Sequence, residues 1–575
     1  MEKEQFKDYS LKHSTSHLLA SAIKSLYPMA RLAIGPPTHD GFYYDFDNLE
    51  ITDDDLKKIE KKMRQISESN HEFKYSEASK EEAKKLLKDE PYKLEILKNL
   101  KGKITFYTHE KFTDLCEGPH INSTKEIRHF KLTKLAGAYW RGDSKNKMLT
   151  RIYGVVFNTE KELKEYLNRI EEAKKRDHKK LGKELKLFTF SDLVGSGLPL
   201  WTPKGTILRN LLDDFVWELR KKNNYKKVFI PHITKKELYQ TSGHWDKFKD
   251  ELFKIKTREG HEFAMKPMNC PHHTQIFASE QRSYRDLPQR YCETTLVYRD
   301  EQSGELQGIS RVRSITQDDA HVFCQEGKVE QEIEIIWGII NKFYSSFGFK
   351  LDVRLSTHDP DNFKAYLGTP ESWKKSETQL LSVIKKHKVN YTVGEGEATF
   401  YGPKIDFMAY DSLGREWQVA TIQLDSNMPE RFKLNFTNEK GNIEQVVMIH
   451  AAIMGSIERF LSILIEHYAG KFPLWLNPVQ IKILPITDKN NKYAEKIAKE
   501  LEKNNIRYEL DTKSNAIGKK IRESQLEKVN YMLTLGSKEE DSNTIAVRTR
   551  EGKITFGVKL DHFINDLKKE IESKK

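Results

Sequence analysis

A highly charged segment, from about residue 158 to residue 186, separates two parts of the chain that differ in composition. Thr159 and Glu162 form a capping-box pattern at its start, which predicts the beginning of a helix. Its apolar residues recur at helical spacing along one stripe, and they are Leu163, Leu167, Ile170 and Ala173. This pattern favours one helix that connects two domains, although a single stripe can also pack against either neighbour.

A chain of 575 residues exceeds what one hydrophobic core supports, so several domains are expected. We divide it into residues 1–157, the linker helix 158–186, residues 187–474 and residues 475–575. The third part lacks a strict strand–helix alternation, which predicts an α+β domain with an antiparallel sheet. Its candidate strands are residues 228–230, 294–298, 320–323, 399–401, 417–424 and 445–449. The last part alternates strands, from 479–484 to 544–547, with helices such as 491–503, which predicts an α/β domain with a mixed sheet.

The net charge of +12 suits a polyanionic partner such as nucleic acid, although a generally lysine-rich composition gives the same sign. Only four cysteines occur, which gives no disulfide framework and fits a reducing cytoplasm. The first residues, Met1 to Gln5, are charged and give no sign of a signal peptide. No run of 18 apolar residues exists, so we expect no membrane span.

Arginines cluster in two segments of the third part. Tyr298-Arg299-Asp300-Glu301 is followed by eight residues rich in Gly, Ser and Gln and then by Ser310-Arg311-Val312-Arg313, which predicts a hairpin. Gly455-Ser456-Ile457-Glu458-Arg459 places another arginine at the start of a helix. Arginine binds phosphate oxygens through its planar fork and stays charged, so these segments can hold a polyphosphate. The alternative for each arginine alone is a surface ion pair.

With a weaker opening helix at 204–222 that leads to Pro231, these segments resemble motifs 1, 2 and 3 of class II aminoacyl-tRNA synthetases. The resemblance implies an antiparallel sheet that holds ATP with Mg²⁺, with Arg299 near the α-phosphate and Arg459 near the γ-phosphate. It makes Arg299, Arg311 and Arg459 catalytic residues and places Glu301 at the substrate. Catalysis in such a site is positioning and charge neutralisation.

A second set of residues indicates the substrate. The segments 266–271, 316–321, 400–404, 421–425 and 448–452 resemble the threonyl-tRNA synthetase family. That resemblance makes Cys270, His321 and His450 the ligands of one catalytic Zn²⁺ per subunit with an open fourth position. It also places further residues around threonine and its adenylate, with Lys404 among the catalytic ones: Lys404, Asp319, Tyr401, Gln418, Thr421 and Gln423. Taken singly, a buried Cys or His is more often a core residue than a ligand.

Threonine and serine differ by one methyl group, which is worth only about 1–3 kcal/mol of discrimination. An enzyme that selects threonine through its hydroxyl group therefore needs a second, hydrolytic site for seryl-tRNA. His13 and His17, four apart on one helix face, and Cys116-x₃-His120 suggest a four-ligand zinc site by spacing alone. With residues 136–143 they resemble the editing domain shared by threonyl- and alanyl-tRNA synthetases, which implies a pocket without metal in the threonyl branch. The implied pocket residues are His13, His17, Lys93, Asp114, Cys116 and His120.

The last part resembles the family's anticodon-binding domain, with Arg522, Glu539 and Arg548 at base-reading positions and Ser514 where an asparagine is usual. The resemblance covers the whole chain but not the small domain that precedes the editing domain in most bacterial members. It implies a cytoplasmic homodimer that binds tRNA(Thr), ATP and L-threonine. Rival hypotheses are a sister class II synthetase such as the prolyl enzyme, an inactive RNA-binding paralogue, and a free-standing editing protein. The first lacks the Cys–His–His set, the second usually loses a motif arginine, and the third lacks residues 187–575.

Overall fold

The computed structural model describes residues 8–39, 41–143, 145–412 and 414–574, so the charged residues Met1 to Gln5 lie outside it. The chain divides into two compact units, residues 1–171 and 172–575. Within the described ranges, no helix combines the length and apolar character needed to cross a membrane.

The first unit is an α+β fold with two antiparallel sheets, ordered β1-β2-β7-β6 and β3-β4-β5. Its long helix α1 is buried along most of its length because it packs on the larger sheet and on α2. Its helices are α1 (Tyr9–Leu26), α2 (Asp55–Glu68), α3 (Lys80–Leu86) and α4 (Pro91–Asn99). Its strands are β1 (Arg31–Leu32), β2 (Phe42–Asp47), β3 (Lys74–Glu77), β4 (Thr105–His109), β5 (Phe112–Leu115), β6 (His129–Tyr139) and β7 (Met148–Phe157).

The charged segment forms two helices, α5 (Glu160–Arg176) and α6 (His178–Glu184), so the prediction of one helix is wrong. The capping box at its start is confirmed: the backbone N–H of Thr159 donates to the Glu162 carboxylate over 3.0 Å, and that of Glu162 donates to the Thr159 hydroxyl over 3.2 Å. The helix ends because Asp177 leaves the helical conformation and caps α6 through the backbone N–H of Lys179. No side chain of α5 is buried, whereas α6 buries His178 and Leu181.

The second unit contains the predominantly antiparallel sheet that the sequence predicts for residues 187–474. Eight strands pair in the order β10-β14-β15-β22-β19-β18-β16-β17, with one parallel pair at each edge. The helices are α7 (Pro203–Lys221), α8 (Lys236–Ser242), α9 (His244–Lys247), α10 (Cys270–Ala278), α11 (Val329–Ser345), α12 (Pro370–His387), α13 (Asn427–Arg431) and α14 (Ile457–His467). The strands are β8 (Phe188–Thr189), β9 (Leu200–Trp201), β10 (Lys226–Lys227), β11 (Ile233–Lys235), β12 (Lys254–Lys256), β13 (Glu262–Met265), β14 (Gln289–Tyr298), β15 (Ser314–Cys324), β16 (Leu351–Thr357), β17 (Tyr391–Glu395), β18 (Lys404–Tyr410), β19 (Glu416–Asp425), β20 (Asn435–Thr437), β21 (Ile443–Gln445) and β22 (Val447–Ala452).

The register of the central strands places several predicted site residues in one row. His321 of β15 pairs directly with His450 of β22, and His450 pairs with Gln423 of β19. Gln423 pairs with Lys404 of β18, which in turn pairs with Ser356 of β16. Because paired residues point to the same face of a sheet, segments far apart in sequence present one continuous surface.

Two of the predicted strands in this domain are wrong. Residues 228–230 lie beyond β10 because the N–H of Ile230 donates to the Glu293 carboxylate over 3.3 Å, outside the sheet ladder, and Pro231 has no N–H. Residues 399–401 form a tight turn closed between Thr399 and Gly402. A β-carbon at Gly402 would lie 2.0 Å from a backbone oxygen of β19, so the turn requires glycine there.

The C-terminal part of the second unit contains the mixed sheet that the sequence predicts for residues 475–575, ordered β24-β23-β25-β26-β27. The pairs of β23 are parallel and the pairs of β26 are antiparallel. The strands are β23 (Ile481–Pro485), β24 (Tyr508–Leu510), β25 (Tyr531–Leu535), β26 (Ile545–Thr549) and β27 (Ile554–Val558). The helices are α15 (Asn491–Lys503), α16 (Ile517–Leu526), α17 (Ser537–Asp541) and α18 (Leu560–Ser573). The prediction stopped at residue 547 and therefore missed β27 and α18.

A buried ion pair ties α7 to the central strands. The Arg220 guanidinium lies 2.5 Å from Asp318 Oδ1, and both side chains are almost completely buried. The other oxygen of Asp318 accepts the N–H groups of Ile453 and Met454 over 2.8 and 2.7 Å. One carboxylate thus joins α7, β15 and the loop that follows β22.

We expect Arg220→Met to lower the free energy of unfolding of this unit by about 3–5 kcal/mol, because it leaves a buried carboxylate without its counter-charge. The matched control is Lys222→Ala, which removes the exposed Lys222–Glu218 pair at the end of the same helix. It should cost less than about 1 kcal/mol. Urea-induced unfolding followed by tryptophan fluorescence measures both. Equal losses in the two variants would contradict the role given to the buried pair.

Candidate functional site

The loop between β14 and β15, residues 299–313, carries the predicted motif arginines and is called the arginine loop below. It closes the predicted hairpin, since the N–H of Arg299 donates to the carbonyl of Arg313 over 3.0 Å. Arg299 packs over the Phe248 ring at 5.4 Å, and its buried Nε has no hydrogen-bond partner among the described residues. Arg311 is exposed and pairs with Glu301 over 2.7 Å. A buried guanidinium N–H without a partner is a donor available to an anionic ligand.

Arg459 approaches the arginine loop from the first turn of α14. The Ser456 hydroxyl caps this helix by accepting the N–H of Arg459 over 3.2 Å. Arg459 Nε then donates to the carbonyl of Ser310 over 3.2 Å. Partial desolvation, followed by the positive charges of Arg299 and Arg311, lowers the pKa of Arg459. The three guanidinium groups are therefore close enough to repel one another, and a polyanion between them would relieve that repulsion.

Cys270, His321 and His450 meet on the sheet, and the ligand atoms they offer all lie within 4.8 Å of one another. All three side chains are buried, and His321 Nε2 lies 3.1 Å from His450 Nδ1. The second nitrogen of each imidazole already has a partner: His273 Nδ1 lies 2.7 Å from His321 Nδ1, and the Asp425 carboxylate lies 3.0 Å from His450 Nε2. Outer partners of this kind fix the orientation of metal-binding imidazoles. The sequence did not indicate His273 or Asp425.

The electrostatics of this cluster favour uncharged side chains. Burial raises the pKa of the Cys270 thiol well above its ordinary value, and the carboxylates of Asp319 and Asp425 raise it further. Burial, followed by the neighbouring His273 and His450, lowers the pKa of His321 well below its ordinary value. Neutral imidazoles are the form that binds a metal ion, and a cation beside the thiol would favour the thiolate.

Asp406 of β18 organises three of the predicted substrate residues. Its fully buried carboxylate accepts from Lys404 Nζ, Ser356 Oγ and Gln418 Nε2, each over 2.7 Å, and from Thr421 Oγ1 over 3.1 Å. Side chains held in this way lose rotational freedom before a ligand arrives. Sequence reasoning missed Asp406 because one aspartate inside an apolar strand gives no motif.

Three more of the predicted substrate residues surround the Cys–His–His cluster, whereas Glu301 lies in the arginine loop beside Arg311. Asp319 is buried and accepts from Asn269 Nδ2 over 3.0 Å, which ties it to the residue before Cys270. The Tyr401 hydroxyl donates to Gln423 Oε1 over 2.5 Å, and the Tyr401 ring stacks on the imidazole of His450 at 4.8 Å. Buried His244, a further residue missed from sequence, places Nε2 at 3.7 Å from Cys270 Sγ.

In the first unit, four of the predicted pocket residues lie close together. Potential ligand atoms of His13, His17, Cys116 and His120 all lie within 4.8 Å of one another. His13 Nδ1 faces the carbonyl of Pro119 at 3.3 Å, and a carbonyl only accepts, so this nitrogen carries a hydrogen. His13 Nε2 faces Cys116 Sγ at 3.3 Å and is an acceptor whenever the ring is neutral.

Lys93 and Asp114 complete the pocket through a buried ion pair. Lys93 Nζ lies 2.7 Å from Asp114 Oδ1, and the Tyr44 hydroxyl donates to Asp114 Oδ2 over 2.6 Å. A cavity of about 320 Å³ opens here. Five of the six predicted residues line it, and His120 lies behind Cys116: His13, His17, Lys93, Asp114 and Cys116. Burial lowers the pKa of His17 well below its ordinary value, followed in effect by His13 and Lys93, so this imidazole is neutral near pH 7.

The three predicted anticodon residues lie on different elements of the C-terminal domain. Arg522 is exposed on α16, and Arg548 is partly exposed on β26. Glu539 lies in α17, where one carboxylate oxygen accepts the N–H of Gly536 over 3.0 Å.

Comparison with known proteins places each of these regions. Residues 253–468 match the tRNA synthetase class II core domain (G, H, P, S and T), residues 480–570 an anticodon binding domain, and residues 104–153 the threonyl and alanyl tRNA synthetase second additional domain. Threonine–tRNA ligases from Flavobacterium psychrophilum and Acetivibrio thermocellus are each 47% identical, over 97% and 98% of this chain and 88% of theirs.

Two solved structures are also similar. The RNA binding domain of threonyl-tRNA synthetase from Cryptosporidium parvum has a TM-score of 0.65 and 37% identity, and the match covers 68% of this chain and 98% of that one. A putative threonyl-tRNA synthetase, ThrRS-1, from Aeropyrum pernix has a TM-score of 0.61 and 29% identity over 69% and 97%.

An antiparallel sheet that gathers three arginines beside a buried Cys–His–His set, followed by an anticodon-binding domain, defines a class II aminoacyl-tRNA synthetase. The N-terminal match to the second additional domain narrows that class to enzymes that carry an editing module. With relatives at 47% identity along almost its whole length, the chain belongs to the threonine–tRNA ligase family.

Buried His109 in the first unit predicts acid sensitivity. Burial, followed by the nearby His71, lowers its pKa from 6.5 to about 4 although Asp114 opposes the shift. The unfolded chain thus binds more protons between these values, so stability present above pH 6.5 is lost as the pH falls toward 4. We expect this residue to lower the free energy of unfolding by about 2 kcal/mol between pH 7.5 and pH 5. Urea unfolding of the wild type and of His109→Phe at both pH values isolates the contribution of His109 to the free energy of unfolding. An unchanged pH dependence in the variant would contradict this prediction.

Proposed function

We propose that this chain activates L-threonine with ATP, transfers it to tRNA(Thr), and hydrolyses mischarged seryl-tRNA(Thr) in its N-terminal unit. Two observations carry the first part. The guanidinium groups of Arg299, Arg311 and Arg459 come together at the arginine loop and the start of α14, and Cys270, His321 and His450 form one cluster in the same unit. The cavity lined by His13, His17, Lys93, Asp114 and Cys116 supports the second part.

Activation requires positioning and not an acid–base side chain. The carboxylate of threonine attacks the α-phosphate of ATP in line, and pyrophosphate leaves. Arg299 stabilises charge at the α-phosphate, while Arg311 and Arg459 hold the outer phosphates together with Mg²⁺. Because these guanidinium groups repel one another before substrate binds, they gain most when the triphosphate lies between them. Lys404, Gln418 and Thr421 keep their places through Asp406.

Cys270, His321 and His450 would hold one Zn²⁺ per subunit, and their donor set fits that ion. One thiol and two imidazole nitrogens with outer partners, all buried, are the ligands of a catalytic zinc site with an open position. When bound, zinc supplies a Lewis acid that takes the amino and hydroxyl groups of threonine. In this proposal Asp319 accepts from the substrate amino group, and its hydrogen bond from Asn269 supports that role. Tyr401 and Gln423, which share a hydrogen bond, close the pocket beside it.

Selection through a hydroxyl group rejects valine by roughly 10⁴ or more but separates serine only through one methyl group. We assign to the N-terminal cavity the removal of serine that the first site fails to reject. Its neutral imidazoles can accept a proton from water, and Lys93 beside Asp114 supplies a positive charge for the ester oxygen. We assign it hydrolysis of the seryl ester without a metal of its own.

The binding partners follow from surfaces outside the two sites. Exposed Arg522 and partly exposed Arg548 suit contacts with the anticodon, and we assign Glu539 of α17 to the same role. Large apolar side chains around α7 are exposed in the single chain, and covering them in a homodimer explains them: Leu193, Val194, Phe229 and Ile233.

We expect Cys270→Ser to lose its zinc and to reduce threonine-dependent ATP–pyrophosphate exchange by at least about 100-fold, because the thiolate is a ligand. Metal analysis and exchange are measured on the same sample. Cys292→Ser is the matched control, since Cys292 is also buried, in β14, but belongs to none of the groups of three or more potential metal ligands among the described residues. It should keep zinc and exchange. Undiminished pyrophosphate exchange in the zinc-free Cys270 variant would contradict the assignment of a catalytic zinc to this cluster.

We expect His13→Ala combined with His17→Ala to leave threonine charging intact while seryl-tRNA(Thr) accumulates, because the proton acceptors of the cavity are gone. Deacylation of preformed seryl-tRNA(Thr) is the measurement, and loss of about 100-fold or more is expected for a general base. His109→Phe serves as control, since His109 is buried in the same unit but does not line the cavity. Normal clearance by the double variant would show that the hydrolytic site lies elsewhere.

A further inference from the structure

His178 begins α6 directly after the break in the charged segment, yet its side chain is buried. Its backbone N–H and its Nδ1 both face the Glu466 carboxylate at the end of α14, over 3.1 and 2.7 Å. The same contact separates α5 from α6, since the N–H of His178 turns to Glu466 and not back along the helix. His178, a residue of the connecting segment, is thereby fixed to the last turn of α14, the helix that carries Arg459.

The hydrogen on the His178 ring can be placed from its partners. Glu466 also pairs with Arg415, and although burial raises its pKa, the hydrogen bonds from His178 and Arg415 lower it to about 2. An ionised carboxylate only accepts, so Nδ1 of His178 carries the hydrogen. In the neutral ring Nε2 is then an acceptor, and it accepts the N–H of Ile309 over 3.3 Å.

Ile309 belongs to the arginine loop. It is completely buried, and the next residue, Ser310, offers its carbonyl to Arg459 over 3.2 Å. Arg311 follows at once, so two contacts hold the backbone directly before this arginine, one from His178 to Ile309 and one from Arg459 to Ser310. Gly308 permits the close approach: its φ is +52°, and a β-carbon there would lie 2.3 Å from His178 Nε2.

Asp177, His178 and Glu466 also lie close enough together to be considered as metal ligands. Both ring nitrogens of His178 are already engaged, one with a carboxylate and one with a backbone N–H. A metal ion would displace one of these bonds and leave a buried group unpaired, so the contacts favour a role in holding the loop.

We propose that His178 is a positioning residue for ATP binding, which sets the arginine loop by accepting the N–H of Ile309. The inference rests on the proposed function, because it assigns ATP to the loop that His178 holds. Loss of this acceptor leaves a buried N–H unpaired and frees the backbone next to Arg311. The expected consequence is weaker binding of ATP with little change in the binding of threonine.

Two substitutions test separately the two hydrogen bonds made by the His178 ring. In His178→Asn the amide nitrogen replaces Nδ1 and keeps the bond to Glu466, but nothing reaches Ile309. In His178→Gln the amide oxygen reaches the position of Nε2 and can accept from Ile309, while the backbone N–H still donates to Glu466. We expect His178→Asn to raise the KM for ATP about tenfold in threonine-dependent pyrophosphate exchange. His178→Gln should stay within about threefold of the wild type, and the KM for threonine should be unchanged in both.

Hydrogen–deuterium exchange of residues 299–313 gives a readout that is independent of activity. Exchange in this segment should quicken in His178→Asn and stay near the wild-type rate in His178→Gln. Equal effects of both substitutions on the KM for ATP, or a fall in kcat alone with unchanged exchange in the loop, would overturn the proposal. Absence of threonine-dependent exchange in the wild type would instead refute the proposed function, while the loop protection by His178 would still be measurable. If His178→Asn does not fold, a wild-type KM and loop protection in His178→Gln support the proposal and a raised KM overturns it.

Discussion

The pairing of four central strands holds the synthetic site together. One row of side chains crosses four neighbouring strands, and each residue in it pairs directly with the next. The row consists of His321, His450, Gln423 and Lys404. Side chains alternate between the two faces of a sheet, so a shift of any strand by one residue would turn its contribution to the opposite face. The large hydrophobic core under these strands fixes their faces, and the buried Arg220–Asp318 pair anchors β15 to α7. The chemistry of the site is therefore a consequence of sheet register.

The surroundings of the basic side chains determine which of them carry a positive charge. Arginines of the arginine loop and α14 keep positive charge near solvent, where an anionic ligand can reach them. The imidazoles of His321 and His17 are buried, which lowers their pKa values and keeps them neutral. Neutral imidazoles serve two purposes here, since they can bind a metal ion on one site and accept a proton on the other. Burial is the largest cause of these pKa shifts, and neighbouring groups that can carry positive charge lower the pKa values further.

The sequence predicts those features that depend on neighbours along the chain. The capping box at Thr159, the hairpin of the arginine loop and the apolar strands 294–298 and 417–424 all follow from local pattern and are confirmed. Features that depend on distant partners were missed. The helix break at Asp177 depends on Glu466, and the role of Asp406 depends on donors from three strands. The Cys270 set could be joined only through family resemblance, because its members belong to a helix and two strands far apart in sequence.

The two sites perform different parts of the recognition of threonine. A hydroxyl group can be required by a binding site, but the absence of a methyl group can hardly be detected by the site that accepts the larger molecule. A second site can detect it by admitting only what is small enough to enter, provided that its walls do not yield. The N-terminal cavity meets that condition, because Lys93, Asp114 and Tyr44 form one buried hydrogen-bonded wall and Tyr44 fills the space beside Gly35. Its discrimination therefore depends on the rigidity of buried polar contacts as much as on the histidines to which we assign the hydrolysis.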